Sequence, residues 1–205
     1  MAHEDSYDGE LTHVDPPVGG VPTTTVTNGQ GNVAEIRHYR GSAPGVGVPY
    51  DATKYTYTTR GLLETVTDAK NNVWRYEYDQ LGRQRKAVDP DAGTSRTEYD
   101  ELDRPVAVWD GRDKKTSTVY DKLGRVVSTW QGDAGTGTRL TETRYDKAGW
   151  LGQAYGFLSY LSPTEYFATA VQSMDEFYRP LKTAYQIPAS QLPRRHARLH
   201  HDVQP

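Results

Sequence analysis

The sequence predicts an all-β fold, a ribbon of consecutive antiparallel β-hairpins, on three observations. The chain of 205 residues holds 15 Tyr and 4 Trp but only 3 Phe and 2 Met, so its large apolar side chains are mostly rings with a polar edge, which suit half-exposed strands. Its 19 Gly and 12 Pro supply many turn positions. A short phrase that begins with Tyr-Asp recurs at a fixed step along the chain.

The recurring phrase starts at Tyr78, Tyr99 and Tyr120, which are 21 residues apart, and again at Tyr145, 25 residues further on. The Gly-rich run 132–137 accommodates the four additional residues. Because a fixed period of this length is typical of repeat architectures, we interpret each phrase as one structural unit. The residues that define the repeat are Tyr78, Asp79, Gly82, Arg83, Tyr99, Asp100, Arg104, Tyr120, Asp121, Gly124, Arg125, Tyr145, Asp146 and Gly149.

The residue types within one phrase predict a strand followed by a tight turn. Residues 74–78 alternate large rings with charged side chains, as in a strand with one covered face. Asp79 begins the turn, where its carboxylate can accept a backbone N–H. Gly82 stands where a type I turn with a bulge needs a left-handed residue, and Asp103, in the same place one unit later, tolerates positive φ better than most residues.

An isolated two-stranded hairpin is marginal in water, so we expect neighbouring hairpins to pair edge to edge, with each tyrosine ring supporting the next. Neither end of the chain carries an evident cap, which indicates an excerpt from a longer array. The predicted segments are a loose N-terminal segment (1–22), an eroded repeat with a Gly/Pro-rich loop (23–54), the repeats (55–150), an insert with an eroded repeat (151–190) and a disordered or truncated tail (191–205).

The phrase Tyr-x-Tyr-Asp-x-x-Gly-Arg at residues 76–83 resembles the RHS (rearrangement hotspot) or YD repeat. The resemblance covers residues 55–130 in register, 131–150 and 173–183 in eroded form, and 23–40 faintly. It implies a β-ribbon that spirals into a shell around a toxin, as in bacterial polymorphic toxins, and therefore two partners: the remainder of a longer RHS chain and a toxin cargo. The chain is too short to close such a shell and lacks the terminal core motif of the family.

Charge and composition exclude several classes of function. The net charge of −3 gives no basic field, which disfavours nucleic-acid binding. No run approaches 18 apolar residues, so no membrane span is predicted, and the first residues show no signal peptide. The resemblance implies that the parent protein is secreted or at the cell surface.

The recurring aspartates allow a catalytic interpretation as a ladder of carboxylates. Capping of turns with pairing to the nearby arginines explains them better, because catalytic groups converge on one pocket with individual roles, whereas these recur identically. His196, His200 and His201 have a spacing that suits a zinc face, but Pro193 precedes them and no further ligand supports the site. We therefore predict no enzyme, no metal and no cofactor.

Trp74, Trp109 and Trp130 lie near successive turns, and their rings can stack on the flat faces of sugars. Strand alternation instead favours rings that fill the covered face of the sheet. Two functions therefore stand: a non-catalytic structural segment of a toxin-related shell or scaffold, and the alternative of a surface module that binds carbohydrate or a partner through exposed aromatic rings.

Overall fold

The computed structural model describes residues 4–8, 10–17 and 19–192, and for residues 4–8 only the backbone. Over this part of the chain, the regular structure is 16 β-strands and one short 3-10 helix, Ala189–Gln191. Every strand is antiparallel to the strands next to it in sequence within its unit. The predicted all-β fold of consecutive antiparallel hairpins is confirmed.

The chain divides into two compact units, and the first comprises residues 1–96. Each of its strands pairs with the next along the chain. Its strands, with the last continuing beyond the unit, are β1 (Glu4–Asp8), β2 (Leu11–Asp15), β3 (Thr23–Thr27), β4 (Val33–Tyr39), β5 (Tyr50–Tyr57), β6 (Leu63–Thr67), β7 (Val73–Tyr78), β8 (Gln84–Asp89) and β9 (Gly93–Tyr99).

The second unit comprises residues 97–205. It follows the same rule of pairing between successive strands. Its strands, after the end of β9, are β10 (Pro105–Trp109), β11 (Lys115–Tyr120), β12 (Val126–Gln131), β13 (Thr138–Tyr145), β14 (Ala154–Tyr160), β15 (Tyr166–Met174) and β16 (Pro180–Gln186).

Two segments are more regular than the sequence predicts. Within residues 1–22, expected to be loose, β1 and β2 form a hairpin in which Glu4 faces Asp15 and Asp8 faces Leu11; β2 in turn pairs with β3, which satisfies its second edge. Residues 151–172 interrupt the 21-residue spacing, yet they supply β14 and most of β15.

Few side chains are deeply buried in either unit, as expected for hairpins whose strands are covered on one face at most. In the first unit, the part of the chain that is described buries Thr24 completely and Tyr39 to 6% exposure. In the second, Ala107, Leu158 and Val171 form the buried apolar set. Stability therefore depends on contacts between neighbouring strands more than on a thick core.

Two sequence-based expectations concern regions beyond these residues. His196, His200 and His201, and nearly all of the predicted tail, lie outside the described residues.

Within the described ranges, no helix is long and apolar enough to cross a lipid bilayer.

Candidate functional site at the Tyr-Asp turns

The turn after each repeat tyrosine follows one backbone design, which is illustrated by residues 79–83. The N–H of Gly82 donates to the carbonyl oxygen of Asp79 over 3.0 Å, and the N–H of Asp79 donates to the carbonyl oxygen of Arg83 over 2.9 Å. Gly82 has a φ of +84°. This is a type I turn followed by a left-handed bulge residue, and Asp103 takes the same left-handed conformation with a φ of +63°.

The carboxylate of Asp79 holds the turn together from inside. One oxygen accepts the N–H groups of Leu81 and Arg83 at 2.9 and 3.0 Å, and the other accepts Nε of Arg83 at 2.7 Å. Asp100 and Asp121 make the same three bonds within their own turns at 2.7–3.0 Å, with Arg104 and Arg125.

These bonds lower the pKa of the turn aspartates. Hydrogen bonds from the side chain and backbone of Arg104 lower the pKa of Asp100. Burial raises the pKa of Asp79 and of Asp121, but hydrogen bonds from the following arginine outweigh this effect and lower both overall. A carboxylate that is ionised and fully engaged in this way stabilises a turn and is poorly suited to act as a general acid or base.

The same turn also occurs where the phrase is eroded and at the opposite ends of the hairpins. Asn28 and Thr58 accept the equivalent pair of backbone N–H groups through a side-chain oxygen, and Asp175 does so with Arg179 as its partner. Asp68 and Asp110, which begin turns at the other end, make the same pair of bonds. The residue three positions after each of these aspartates, Asn71 or Asp113, has a positive φ. Asp68 and Asp110 also recur in the sequence ten residues before Tyr78 and Tyr120.

The fourth phrase, at Asp146, departs from the predicted turn. The N–H of Asp146 donates to the carbonyl oxygen of Gln153, and β14 begins only at Ala154. Gly149 has a positive φ of 86°, but the turn does not close there. Trp150 occupies the place that arginine holds in the other phrases, so no arginine of this turn is positioned to bind the Asp146 carboxylate.

Arg125 from the preceding turn binds that carboxylate instead. Its two terminal nitrogens donate to the two oxygens of Asp146 at 3.1 and 2.5 Å, while its Nε remains bonded to Asp121. The guanidinium, with the N–H of Gly152 at 2.7 Å, lowers the pKa of Asp146 to about 2. One arginine thus holds carboxylates from two successive hairpins.

The repeat tyrosines also connect each hairpin to the one before it. The hydroxyl of Tyr78 donates to the carbonyl oxygen of Leu63 over 2.8 Å, and that of Tyr120 donates to Pro105 over 2.9 Å. Tyr57 and Tyr145 reach Val33 and Val126 in the same way. In each case the acceptor is the first residue of the strand immediately before the one that carries the tyrosine (β4, β6, β10 or β12), which is the return strand of the preceding hairpin.

Arginine rather than a second tyrosine covers the tyrosine rings in the second unit. The guanidinium carbon of Arg104 lies 4.5 Å from the centre of the Tyr120 ring, and that of Arg125 lies 4.3 Å from the Tyr145 ring. The expectation that each ring directly supports the next is therefore corrected at these two positions: the step between hairpins passes through the arginine of the preceding turn, because that turn lies beside the next tyrosine.

The three tryptophans are half-buried and each already has a polar partner. Nε1 of Trp74 donates to Asp89 over 3.1 Å in the first unit. In the second unit, Lys115 Nζ lies 5.0 Å from the Trp109 ring and the Arg139 guanidinium lies 4.6 Å from the Trp130 ring. Trp109 and Trp130 share one side of the sheet, since their partners across the strand, Lys115 and Ser117, are two residues apart on β11.

A charged cluster that sequence reasoning missed lies beside Trp130. Glu142 accepts hydrogen bonds from Arg139 at 2.6 Å, from Arg144 at 2.7 Å and from the Tyr160 hydroxyl at 2.8 Å. Burial raises the pKa of Glu142, but the bonds from Arg144 and Tyr160 lower it overall. The cluster spans β13 and β14 and was not visible in the sequence because it depends on the register of those strands.

The groove beside the first repeat turn gains no free carboxylate from Asp79. A shallow groove of about 480 Å³ lies beside Asp79 and is lined by Arg60, Tyr76 and Arg85 among others, but the Asp79 carboxylate is already engaged within its turn. Across the described ranges, no three His, Asp or Glu side chains lie close enough together to hold a metal ion.

Comparison with known proteins agrees with this repeat geometry. The family model of the RHS Repeat matches residues 57–94. No curated protein matches the sequence. Among the solved structures that share the fold are the crystal structures of TcdB2-TccC3-TEV and TcdB2-TccC3, both with a TM-score of 0.72, at 16% and 17% identity. Another is the Photorhabdus luminescens Tc holotoxin pore with a substitution in TccC3, with a TM-score of 0.71 and 15% identity.

In each of these comparisons the alignment covers 90% of this chain and 10% of the other chain. The chain therefore spans about a tenth of the length of the solved proteins that it resembles. The matched residues 57–94 include the turn at Asp79 and the hydroxyl contact of Tyr78. The resemblance to the RHS repeat, recognised from the Tyr-Asp phrases, is confirmed by the family model over residues 57–94.

Proposed function

We propose that this chain is a non-catalytic structural segment of a larger toxin-related RHS protein, serving as part of its shell or scaffold. The observation that carries the proposal is the dependence of each hairpin on its predecessor. Tyr120 bonds to the return strand that starts at Pro105, and Arg125 binds both Asp121 and Asp146. Side chains committed in this way join successive hairpins and are themselves unavailable for chemistry.

The partners in this proposal are the remainder of a longer RHS chain and a toxin cargo enclosed by it. The shared fold with chains of about ten times the aligned length supports the first partner. The presence of Tc toxin components among the fold relatives motivates the second. The parent protein would be secreted or displayed at the cell surface, where such a shell delivers its content.

The coding sequence that flanks this chain provides the test. The proposal predicts further Tyr-Asp phrases in frame at 21-residue steps and a terminal domain unrelated to the repeats. In the full-length product, that terminal domain should resist protease until the repeat region is unfolded. A flanking sequence without repeats, or a terminal domain that is digested as fast as an unfolded control, would contradict the proposal.

The alternative function is a binding module for carbohydrate or a partner protein that uses Trp74, Trp109 and Trp130. The shared side of Trp109 and Trp130 favours it, while the cations that lie over both rings compete with a sugar for the same ring faces. A glycan-array screen distinguishes the two functions. Saturable binding that is lost in Trp109→Ala or Trp130→Ala supports the binding module; no saturable binding supports the scaffold.

A further inference from the structure

The connection between β4 and β5, residues 40–49, differs from the tight turns of the repeat. It is the longest link between two strands in the described chain. At its tip, the side chain of Val46 is fully exposed, and Gly47 beside it has a φ of +79° with open space around it. Exposed loop tips with small residues are the preferred sites of proteolytic cleavage.

The backbone of this loop is weakly fixed. Between Gly41 and Val48, and counting only described partners, a single N–H has an acceptor: that of Val48, which donates to Gly45 over 3.4 Å. The eight-residue connection 146–153 provides a contrast, because Asp146, Trp150 and Gln153 all donate to backbone oxygens within it. Few hydrogen bonds mean a low free energy of local opening.

The stem of the loop is firmly closed. Arg40 Nη2 lies 2.6 Å from the Asp51 carboxylate, and the rings of Tyr39 and Tyr50 lie 5.5 Å apart. Tyr39 is only 6% exposed. The strands on either side remain paired from Tyr39 opposite Tyr50 down to Glu35 opposite Lys54, so a break in the loop leaves this ladder intact.

Within the loop, the residue types select one peptide bond. Ala43, Val46 and Val48 are the small aliphatic residues, but Ala43 and Val48 each precede a proline. A proline nitrogen carries no hydrogen and its ring fixes the local backbone, which makes those two bonds poor substrates. The bond between Val46 and Gly47 remains.

We propose that this loop is a proteolytic processing site, cleaved after Val46 by a serine endoprotease of the elastase class, whose pocket takes small aliphatic side chains. Hydrolysis consumes one water: the Val46 carbonyl carbon gains the hydroxyl and becomes a carboxylate, and the Gly47 nitrogen becomes a free amine. The product is a two-chain protein in which residues 1–46 and 47–205 stay together through β4 and β5.

The exposed leucines of the repeat turns are not equivalent sites. Leu81, Leu102 and Leu123 are 69–73% exposed, but each lies in a five-residue turn whose N–H groups are held by an aspartate carboxylate. A protease must draw several residues into an extended conformation, which would break these turns and the strands that they close.

The test is limited digestion of the intact chain by elastase, followed by intact mass and native gel filtration. The first internal cut between residues 19 and 192 should give fragments 1–46 and 47–205, which co-elute as one species. Val46→Asp should slow this cut at least about tenfold, because a charge enters an apolar pocket; Val46→Ala should preserve it, and Leu123→Asp should leave it unchanged. Circular dichroism verifies that all three variants are folded.

Three results would overturn the proposal. The first internal cut falls at another site; Val46→Asp is cut after residue 46 at the unaltered rate; or the folded chain resists internal cutting while the urea-unfolded chain is digested. Separation of the two fragments on native gel filtration would refute the two-chain product.

Discussion

The hydroxyl of Tyr120 donates a hydrogen bond to the carbonyl oxygen of Pro105, 15 residues earlier in the chain, over 2.9 Å. Tyr78 and Leu63 stand in the same relationship at the same separation. The repeat tyrosine therefore serves two hairpins: its backbone ends one strand, and its hydroxyl fixes the start of the previous return strand. This explains why the repeat uses tyrosine, since phenylalanine would provide the ring without the bond.

Tyr120→Phe should lower the free energy of unfolding by about 1 kcal/mol, the usual loss for one hydrogen bond. Tyr185→Phe is the matched control, because Tyr185 is 56% exposed and no hydrogen bond of its hydroxyl is found within the described chain. Urea unfolding followed by tryptophan fluorescence measures both. Equal effects of the two substitutions would show that the Tyr120 hydroxyl contributes nothing.

Arg125→Lys should destabilise the chain more than Arg104→Lys does. Arg125 holds the carboxylates of Asp121 and Asp146, whereas Arg104 pairs with Asp100, and both cover a tyrosine ring. A lysine cannot reproduce the forked geometry that serves two carboxylates. Melting temperatures measured side by side provide the comparison, and an equal or smaller decrease for Arg125→Lys would contradict the shared clamp.

Stability should fall as the solution is acidified from about pH 4 towards pH 2. The pKa of Asp146 is lowered to about 2 in the folded chain and is about 3.9 in an unfolded one. A lowered pKa stabilises the fold above the unfolded value, and this contribution disappears as pH falls through the folded value. Urea midpoints measured across this range report the loss.

Asp146→Asn should reduce that acid sensitivity, and Arg125→Met should reduce it further, because Arg125 also lowers the pKa of Asp121. An acid dependence that is identical in the wild-type chain and both variants would exclude the pair as its source.

The sequence was sufficient for the local turn chemistry and insufficient for contacts between hairpins. Gly82 and Asp103 could be assigned to left-handed positions because a type I turn with a bulge needs such a residue there. The position of Arg104 over Tyr120 could not be derived, because it depends on the offset between neighbouring hairpins. The long turn after Asp146 was missed for a similar reason. Tyr145, Asp146 and Gly149 occupy the usual positions of the phrase, while the turn closes only at Gln153.

Gly82→Ala isolates the backbone requirement of the repeat turn. A Cβ at this position would lie 3.7 Å from Arg60 and Leu62, which is ordinary contact, so the expected cost of about 1 kcal/mol comes from the left-handed conformation alone. Gly29→Ala is the control, because Gly29 does not have a positive φ and a Cβ there would meet open space. This substitution should be neutral or slightly stabilising. Chemical denaturation compares the two, and a neutral Gly82→Ala would reject the assigned turn.

The register between successive hairpins can be tested with a designed disulfide, because the chain contains no cysteine. Thr129 on β12 faces Thr141 on β13, and their hydroxyl oxygens lie 2.7 Å apart. Thr129→Cys with Thr141→Cys should form an intramolecular disulfide on mild oxidation, whereas Thr129→Cys with Thr143→Cys, displaced by two residues along β13, should not. Bond formation in the displaced pair, or in neither pair, would contradict the stacking of consecutive hairpins on which the whole account depends.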